Sequence, residues 1–182
     1  MLDALAPHIA AGTPIVGLEP SCVLTLRDEI PAILPGAPTR ALAERAQLFE
    51  EFVDSERTAG RFQPALSPME GRTALLHGHC HQKAFGTVGA AVNALKMIPG
   101  LSVEIFDSTC CGMAGSFGYE AEHYEMSLKI GELGVLPKMR AAPPNTLLVA
   151  NGTSCRHQIA DAAGRQARHL VRILDAASAD GN

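Results

Sequence analysis

The chain has 182 residues, 47% of them hydrophobic and 19% charged, which suits one globular domain with its own core and is short for two. A net charge of −4 argues against the basic footprint of a nucleic-acid binder, and no apolar run reaches the length of a bilayer span. Met1 to Ala11 lacks the basic start and long apolar stretch of a signal peptide.

Leu2 to Ala11 reads as the end of a helix running into Gly12, so residues 1–182 are expected to be one domain cut from a longer polypeptide. Pro14 to Leu18 is a short apolar strand. Val23, Leu26, Ile30 and Leu34 recur at helical spacing until Pro35-Gly36, and Leu42, Ala46, Phe49 and Val53 make a second helical stripe. Thr58 to Gln63 is a turn or weak strand, and Pro64 to Gly71 an irregular loop.

Thr73 to His77 is the second clear strand. Ala84, Phe85, Val88, Ala91, Val92 and Leu95 form an amphipathic helix closed by Pro99-Gly100. Leu101 to Phe106 is the third strand, followed by a glycine-rich loop from Asp107 to Gly118. Glu120 to Leu136 reads as helix, Thr146 to Ala150 as the fourth strand, and another helix starts near Ser154. Leu170 to Leu174 is a last helix or strand, and Ala176 to Asn182 a tail. The alternation predicts an α/β fold: a mostly parallel sheet flanked by helices.

Five cysteines are present: Cys22, Cys80, Cys110, Cys111 and Cys155. An odd number, widely spaced and with one adjacent pair, is a poor disulfide framework. Each follows a predicted strand within a few residues. In one parallel sheet the strands end at the same edge, so the five sulfurs are expected to gather at that rim, most of them beside helix starts that favour a thiolate. One such cysteine alone is as readily a small buried hydrophobe. Five in this pattern are a reasonable set of metal ligands for a multinuclear iron centre.

Three motifs surround them: His77-Gly78-His79-Cys80-His81-Gln82-Lys83, then Ser108-Thr109-Cys110-Cys111-Gly112-Met113-Ala114-Gly115, then Asn151-Gly152-Thr153-Ser154-Cys155-Arg156-His157. Gly112 and Gly115 let the backbone approach a bulky inorganic ligand and offer amides to its sulfurs. His77, His79 and His81 alternate around Cys80, which on an extended segment points them to one face. They are candidates for contacts to the bound group or for proton transfer, though a solvated strand end is the blander reading. Lys83 and Arg156 offset thiolate charge or are simply solvated. Glu19 is expected to cap the helix that begins near Cys22, and Asn151-Gly152 to make only a turn.

These motifs resemble the CCG-domain, or cysteine-rich domain, family. It includes the iron–sulfur subunits of glycolate oxidase and of anaerobic glycerol-3-phosphate dehydrogenase, a related subunit of heterodisulfide reductase, and the C-terminal part of FAD-linked 2-hydroxyacid oxidases. The matching positions are Cys80, Cys110-Cys111-Gly112 and Cys155, within a core region of residues 73–173; Gly17 to Cys22 resembles the segment preceding it in the FAD-linked oxidases. Some members end in Cys-x-x-Cys, where this chain has Gln158; the resemblance leaves three alternatives, that Cys22 supplies the fifth sulfur, that His157 substitutes, or that the cluster has fewer protein ligands.

The resemblance implies an iron–sulfur cluster of 4Fe-4S type, cubane or non-cubane, in an electron-transfer domain of a flavin-linked oxidoreductase acting on glycolate, D-lactate or D-2-hydroxyglutarate. It further implies an FAD-binding domain or subunit, a ferredoxin-like iron–sulfur module and a quinone or other acceptor as partners. The location implied is cytoplasmic, or peripheral at the inner face of a membrane. This chain itself carries no flavin-binding segment and is not expected to turn over substrate alone. Two other readings stay open: a zinc-binding structural module, and a thiol–disulfide enzyme working through Cys110 and Cys111.

Overall fold

A computed structural model describes residues 1–106 and 108–178. In chain order the elements are α1 (Leu2–Ala10), β1 (Ile15–Gly17), α2 (Pro20–Thr25), α3 (Glu29–Ile33), α4 (Ala37–Arg45), β2 (Ala46–Leu48), α5 (Phe49–Thr58) and β3 (Thr73–His77). There follow α6 (Cys80–Ala84), α7 (Val88–Leu95), β4 (Ser102–Ile105), two 3-10 turns (Phe117–Tyr119 and Ala121–His123), α8 (Tyr124–Glu132), α9 (Val135–Ala141), β5 (Leu147–Ala150), α10 (Thr153–Ala163) and α11 (Leu170–Ala177).

The fold is α/β with every strand pair parallel, as the alternation predicts. The strands do not form one sheet, however. β4, β3 and β5 lie in that order in a three-stranded sheet, while β1 pairs with β2 in a separate two-stranded one. β2 falls inside what reads as a helical stripe. Ala46 and Leu48 are buried and Gln47 is not, and over three residues this alternation is indistinguishable from part of a helical repeat. The predicted helix from Val23 to Leu34 is likewise split into α2 and α3. Pro31 has no N–H to continue a helix through that point, but it is tolerated in the first turn of a new one. The long stripes at 84–95 and 120–136 divide too, at Phe85–Thr87 and at Leu133–Gly134.

The central strand β3 explains the packing. Ala74 and Leu76, with Leu147 and Val149 of β5, face α5, α7 and α11 through Val53, Leu95, Ile98, Leu170 and Ile173. Leu75, with Leu148 and Ala150, faces the opposite side against Leu136, Met139 and Ile159 of α9 and α10. Full burial of each such aliphatic side chain stabilises the fold by about 1.5–3 kcal/mol. His77 has the parity of Leu75 and closes β3 opposite Ala150, so its side chain falls on the α9–α10 face.

The small sheet docks on the large one at the same edge. His169 Nε2 meets the Leu18 carbonyl at 3.0 Å, and the Glu19 carboxylate accepts from Thr153 N and Oγ, each at 2.8 Å. Glu19 therefore does not cap its own helix α2; it caps α10. Partial burial works to raise its pKa, but the Thr153 and Ser21 hydrogen bonds outweigh that and hold it below the usual carboxylate range.

Candidate metal centre

β3, β4 and β5 are parallel, so their C-terminal ends share one edge, with β3 in the middle of the order β4-β3-β5. The loops that leave these ends bring four of the five cysteines together. Cys80 opens α6, Cys110 and Cys111 lie in the loop after β4, and Cys155 sits in the first turn of α10. Cys155 Sγ is 3.2 Å from Cys111 Sγ, and the Cys110 thiol lies close enough to those of Cys111 and Cys80 to influence their ionisation. All five cysteines are free thiols.

Cys22 lies on α2, after a strand of the other sheet, and its side chain is exposed. α2 packs against α6, but among the described residues Cys22 makes no hydrogen bond to another sulfur. The expectation of five sulfurs at one rim rested on all strands sharing one sheet, and the separate β1–β2 pair removes that premise for Cys22.

The thiols differ in their readiness to ionise. Hydrogen bonds from the Cys111 and Cys80 thiols and from the Gly112 and Ala114 amides hold Cys110 well below the usual thiol range. A hydrogen bond from Cys111 does the same for Cys155, against the effect of its burial, with His77 acting in the same direction. Cys111 is pushed up by its contacts with Cys110 and Cys155 and by burial; Cys80 is pushed up by its contact with Cys110 and by burial. Four sulfurs in a row thus cannot all carry negative charge unaided, and a bound cation is what lets them do so. The soft, sulfur-rich donor set suits an iron–sulfur cluster or zinc.

The backbone around Cys110 and Cys111 is shaped toward those sulfurs. Gly112 N donates to Cys110 Sγ at 3.3 Å. Gly112 has φ +96°, and a Cβ there would overlap the Ser127 carbonyl oxygen of α8, so this position excludes any side chain. Ala114 has φ +40°, uncommon for a residue with a side chain, and Gly115 beside it has φ +69° with open space around it. Gln158 is buried and donates to Ser127 O and Oγ at 3.2 and 3.0 Å, pinning α10 to α8 beneath the loop.

The three histidines do not share a face. His77 ends the strand and is fully buried. His79 is the N-cap of α6, with Nδ1 accepting from His81 N at 3.2 Å, and burial pushes its pKa below the ordinary histidine value. His81 already belongs to the helix, so the extended alternation stops before it. His157 is paired with the exposed Tyr119, whose Oη lies 2.6 Å from its Nδ1. Lys83 Nζ straps α6 to the cysteine loop through Ser108 O, Ser108 Oγ and Thr109 O. Arg156 is not free in solvent; it donates to the carbonyls of Ala150 and Asn151 that end β5.

A buried polar network fastens the cysteine loops. Glu50, in the first turn of α5, is fully buried, and its Oε1 accepts from Gln82 Nε2 and from Asn151 Nδ2. Gln82 Oε1 in turn accepts from His79 N at 3.0 Å, and Asn151 Oδ1 from Leu170 N at 3.2 Å. Asn151 is therefore a buried link between β5, α5 and α11, and not simply a turn residue. Gly152, next in the chain, lets the His79 ring lie against the backbone where a Cβ would collide with it. Glu50 Oε2 has no hydrogen-bond partner, and burial pushes the Glu50 pKa up. Only a glutamate placed in an otherwise exposed-looking helical turn marks this network in the sequence.

Comparison with known proteins bears on the same region. The chain is similar to dehydrogenase polypeptides. It is 28% identical over 165 residues to a subunit of anaerobic glycerol-3-phosphate dehydrogenase from Escherichia coli, covering 90% of this chain and 40% of that polypeptide. It is 33% identical over 174 residues to D-2-hydroxyglutarate dehydrogenase of Escherichia coli, covering 94% of this chain and 16% of that protein. The enzyme of the same name from Pantoea ananatis is 30% identical over 167 residues, with 90% and 15% covered. The chain thus spans well under half the length of these relatives. No family model matches it, and no solved structure does. Among the described residues no helix is long and apolar enough to cross a membrane.

Proposed function

We propose that this chain is the electron-transfer domain of a flavin-linked dehydrogenase and binds an iron–sulfur cluster through Cys80, Cys110, Cys111 and Cys155. The observation that carries the reading is the contact series of four sulfurs from three strand-end loops, with backbone amides turned toward Cys110. Cys22, exposed on α2, is left out of this proposed set. When bound, an iron–sulfur cluster supplies a one-electron carrier whose potential responds to the hydrogen bonds around its sulfurs. The chain's own residues exclude water from Cys111 and Cys155, aim amides at Cys110 and bring Lys83 beside the cysteine loop as a positive charge.

Similarity to a D-2-hydroxyglutarate dehydrogenase and to part of a glycerol-3-phosphate dehydrogenase supports a parent enzyme that oxidises a secondary alcohol, of the 2-hydroxy-acid class. A flavin domain or subunit takes the hydride equivalent, this domain passes single electrons, and a ferredoxin-like module and a quinone or comparable acceptor receive them. On this reading the assembly works in the cytoplasm or at the inner face of a membrane. The test is reversible reduction. Anaerobically reconstituted protein is expected to bleach on dithionite addition, to show a paramagnetic signal in one oxidation state, and to recover on reoxidation. A loaded protein that is redox-silent would end the electron-transfer role.

A second reading has a specific observation behind it. A ring nitrogen of His77 and the sulfurs of Cys111 and Cys155 all lie within 4.8 Å of one another. The 3.2 Å Cys111–Cys155 separation is nearer the ~3.8 Å expected of two sulfurs on one tetrahedral zinc, at about 2.3 Å per bond. On this reading the centre holds a single structural zinc, and electrons pass elsewhere in the parent enzyme.

A further inference from the structure

His77 is the one fully buried histidine of the site, and the pleat of β3 delivers it to the sulfurs. Its Nδ1 lies 3.0 Å from Ser108 Oγ. That same oxygen accepts from Lys83 Nζ at 3.0 Å. With one lone pair engaged by the lysine, the serine hydroxyl is free to give its proton to His77 Nδ1, and the imidazole proton then resides on Nε2. Nε2 is buried and has no hydrogen-bond partner at ordinary length, a situation that costs about 1–3 kcal/mol for an isolated polar group. The Cys111 and Cys155 sulfurs lie within 4.8 Å of a nitrogen of this ring. Two other histidines of this edge use the same tautomer logic: Nδ1 of His79 accepts from His81 N, and Nδ1 of His169 from Val171 N, leaving Nε2 to donate.

We infer that His77 is a positioning residue which, as the Nε2–H tautomer fixed by Lys83 and Ser108, donates its N–H to the cysteine sulfurs of the loaded centre, Cys155 foremost, and does not ligate the metal. This rests on the iron–sulfur reading for its consequence, not for its geometry. An N–H aimed at a ligand sulfur stabilises the additional negative charge of the reduced centre and so raises its potential. Direct ligation requires the opposite tautomer, with the proton on Nδ1 and a bare Nε2.

Two measurements decide it. In metal-free protein labelled with 15N-histidine, long-range 1H–15N correlation spectra are expected to show His77 protonated at Nε2; protonation at Nδ1 overturns the proposal whether or not the chain ever binds iron. In anaerobically reconstituted protein, His77→Leu is expected to keep its iron content and shift its midpoint potential to a more negative value, with His77→Gln, which retains an N–H, restoring part of the shift. Loss of iron in both variants together with nitrogen hyperfine coupling in the parent protein means ligation and overturns the donor role, as does an unchanged potential. Failure of the parent protein itself to take up iron overturns the iron–sulfur reading instead, and the tautomer then decides the donor geometry alone.

Discussion

Cys111 and Cys155 are 44 positions apart in the chain, yet their sulfurs lie 3.2 Å from each other because the loops after β4 and β5 meet at one sheet edge. Both are almost fully buried, so the pair is shielded from bulk reagents but poised for mutual reaction. In metal-free protein a small oxidant such as diamide, taking two electrons and two protons from two thiols, is expected to join Cys111 to Cys155. The strained Cys110–Cys111 bridge is disfavoured. Non-reducing peptide mapping reads the connectivity directly; a dominant Cys110–Cys111 product would contradict this geometry and favour the thiol-redox reading.

The exposure of Cys22 gives the second prediction. It is expected to alkylate first with iodoacetamide, and Cys22→Ser to retain the metal content of the parent protein. Serine at Cys80, Cys110, Cys111 or Cys155 is expected to abolish most of it. Equal loss in Cys22→Ser would return Cys22 to the ligand set.

Glu50 sets a pH dependence with a definite sign. Burial raises its folded-state pKa above the unfolded value of about 4.3, so its contribution to stability is fully present below that pH and is lost as pH rises through the folded value. Glu50→Gln removes the ionisable group while keeping an acceptor for Gln82 and Asn151. The stability difference between the parent protein and this variant is expected to move against the parent as pH increases above about 4.3. Glu50→Ala leaves two buried donors without an acceptor and is expected to cost about 2–4 kcal/mol. Denaturant titrations at several pH values test both; a gap between parent and Glu50→Gln that does not change with pH would show that burial does not raise the Glu50 pKa.

Two glycines of the cysteine loop separate steric necessity from backbone strain. Gly112→Ala combines a left-handed φ with a collision against Ser127 O and is expected to destabilise by roughly 3 kcal/mol or more, with loss of metal uptake. Gly115→Ala meets no neighbour and is expected to cost only about 1 kcal/mol. Thermal melts of the two variants side by side make the comparison; equal effects would mean the Gly112–Ser127 approach is not tight.

Much of the α/β layout is legible in the sequence, because β3 and β5 are short runs of apolar residues buried on both faces and bounded by turn signals. The sequence also places Cys80, Cys110, Cys111 and Cys155 at one rim, since parallel strands need no tertiary detail to share an edge. It does not reveal that β1 and β2 form their own sheet. A three-residue strand has too few alternations to stand out from a helical stripe. Nor are the roles of Glu50, Glu19 and Asn151 readable, because each acts on a partner more than a hundred positions away: Glu50 with Asn151 and Glu19 with Thr153. Local rules for caps and turns see only neighbours in the chain, so Glu19 reads as the cap of α2 when it caps α10.

The central claim is that four cysteines at this edge hold an iron–sulfur cluster. The most direct test is to purify the chain without oxygen, reconstitute it with iron and sulfide, and assay iron, acid-labile sulfide and zinc alongside the visible spectrum, for the parent protein and for Cys111→Ser. The account predicts iron and sulfide bound together with a broad visible absorbance, all lost in the variant. No iron uptake, with about one zinc per chain held in its place, would contradict it and assign the cysteines to a structural metal site.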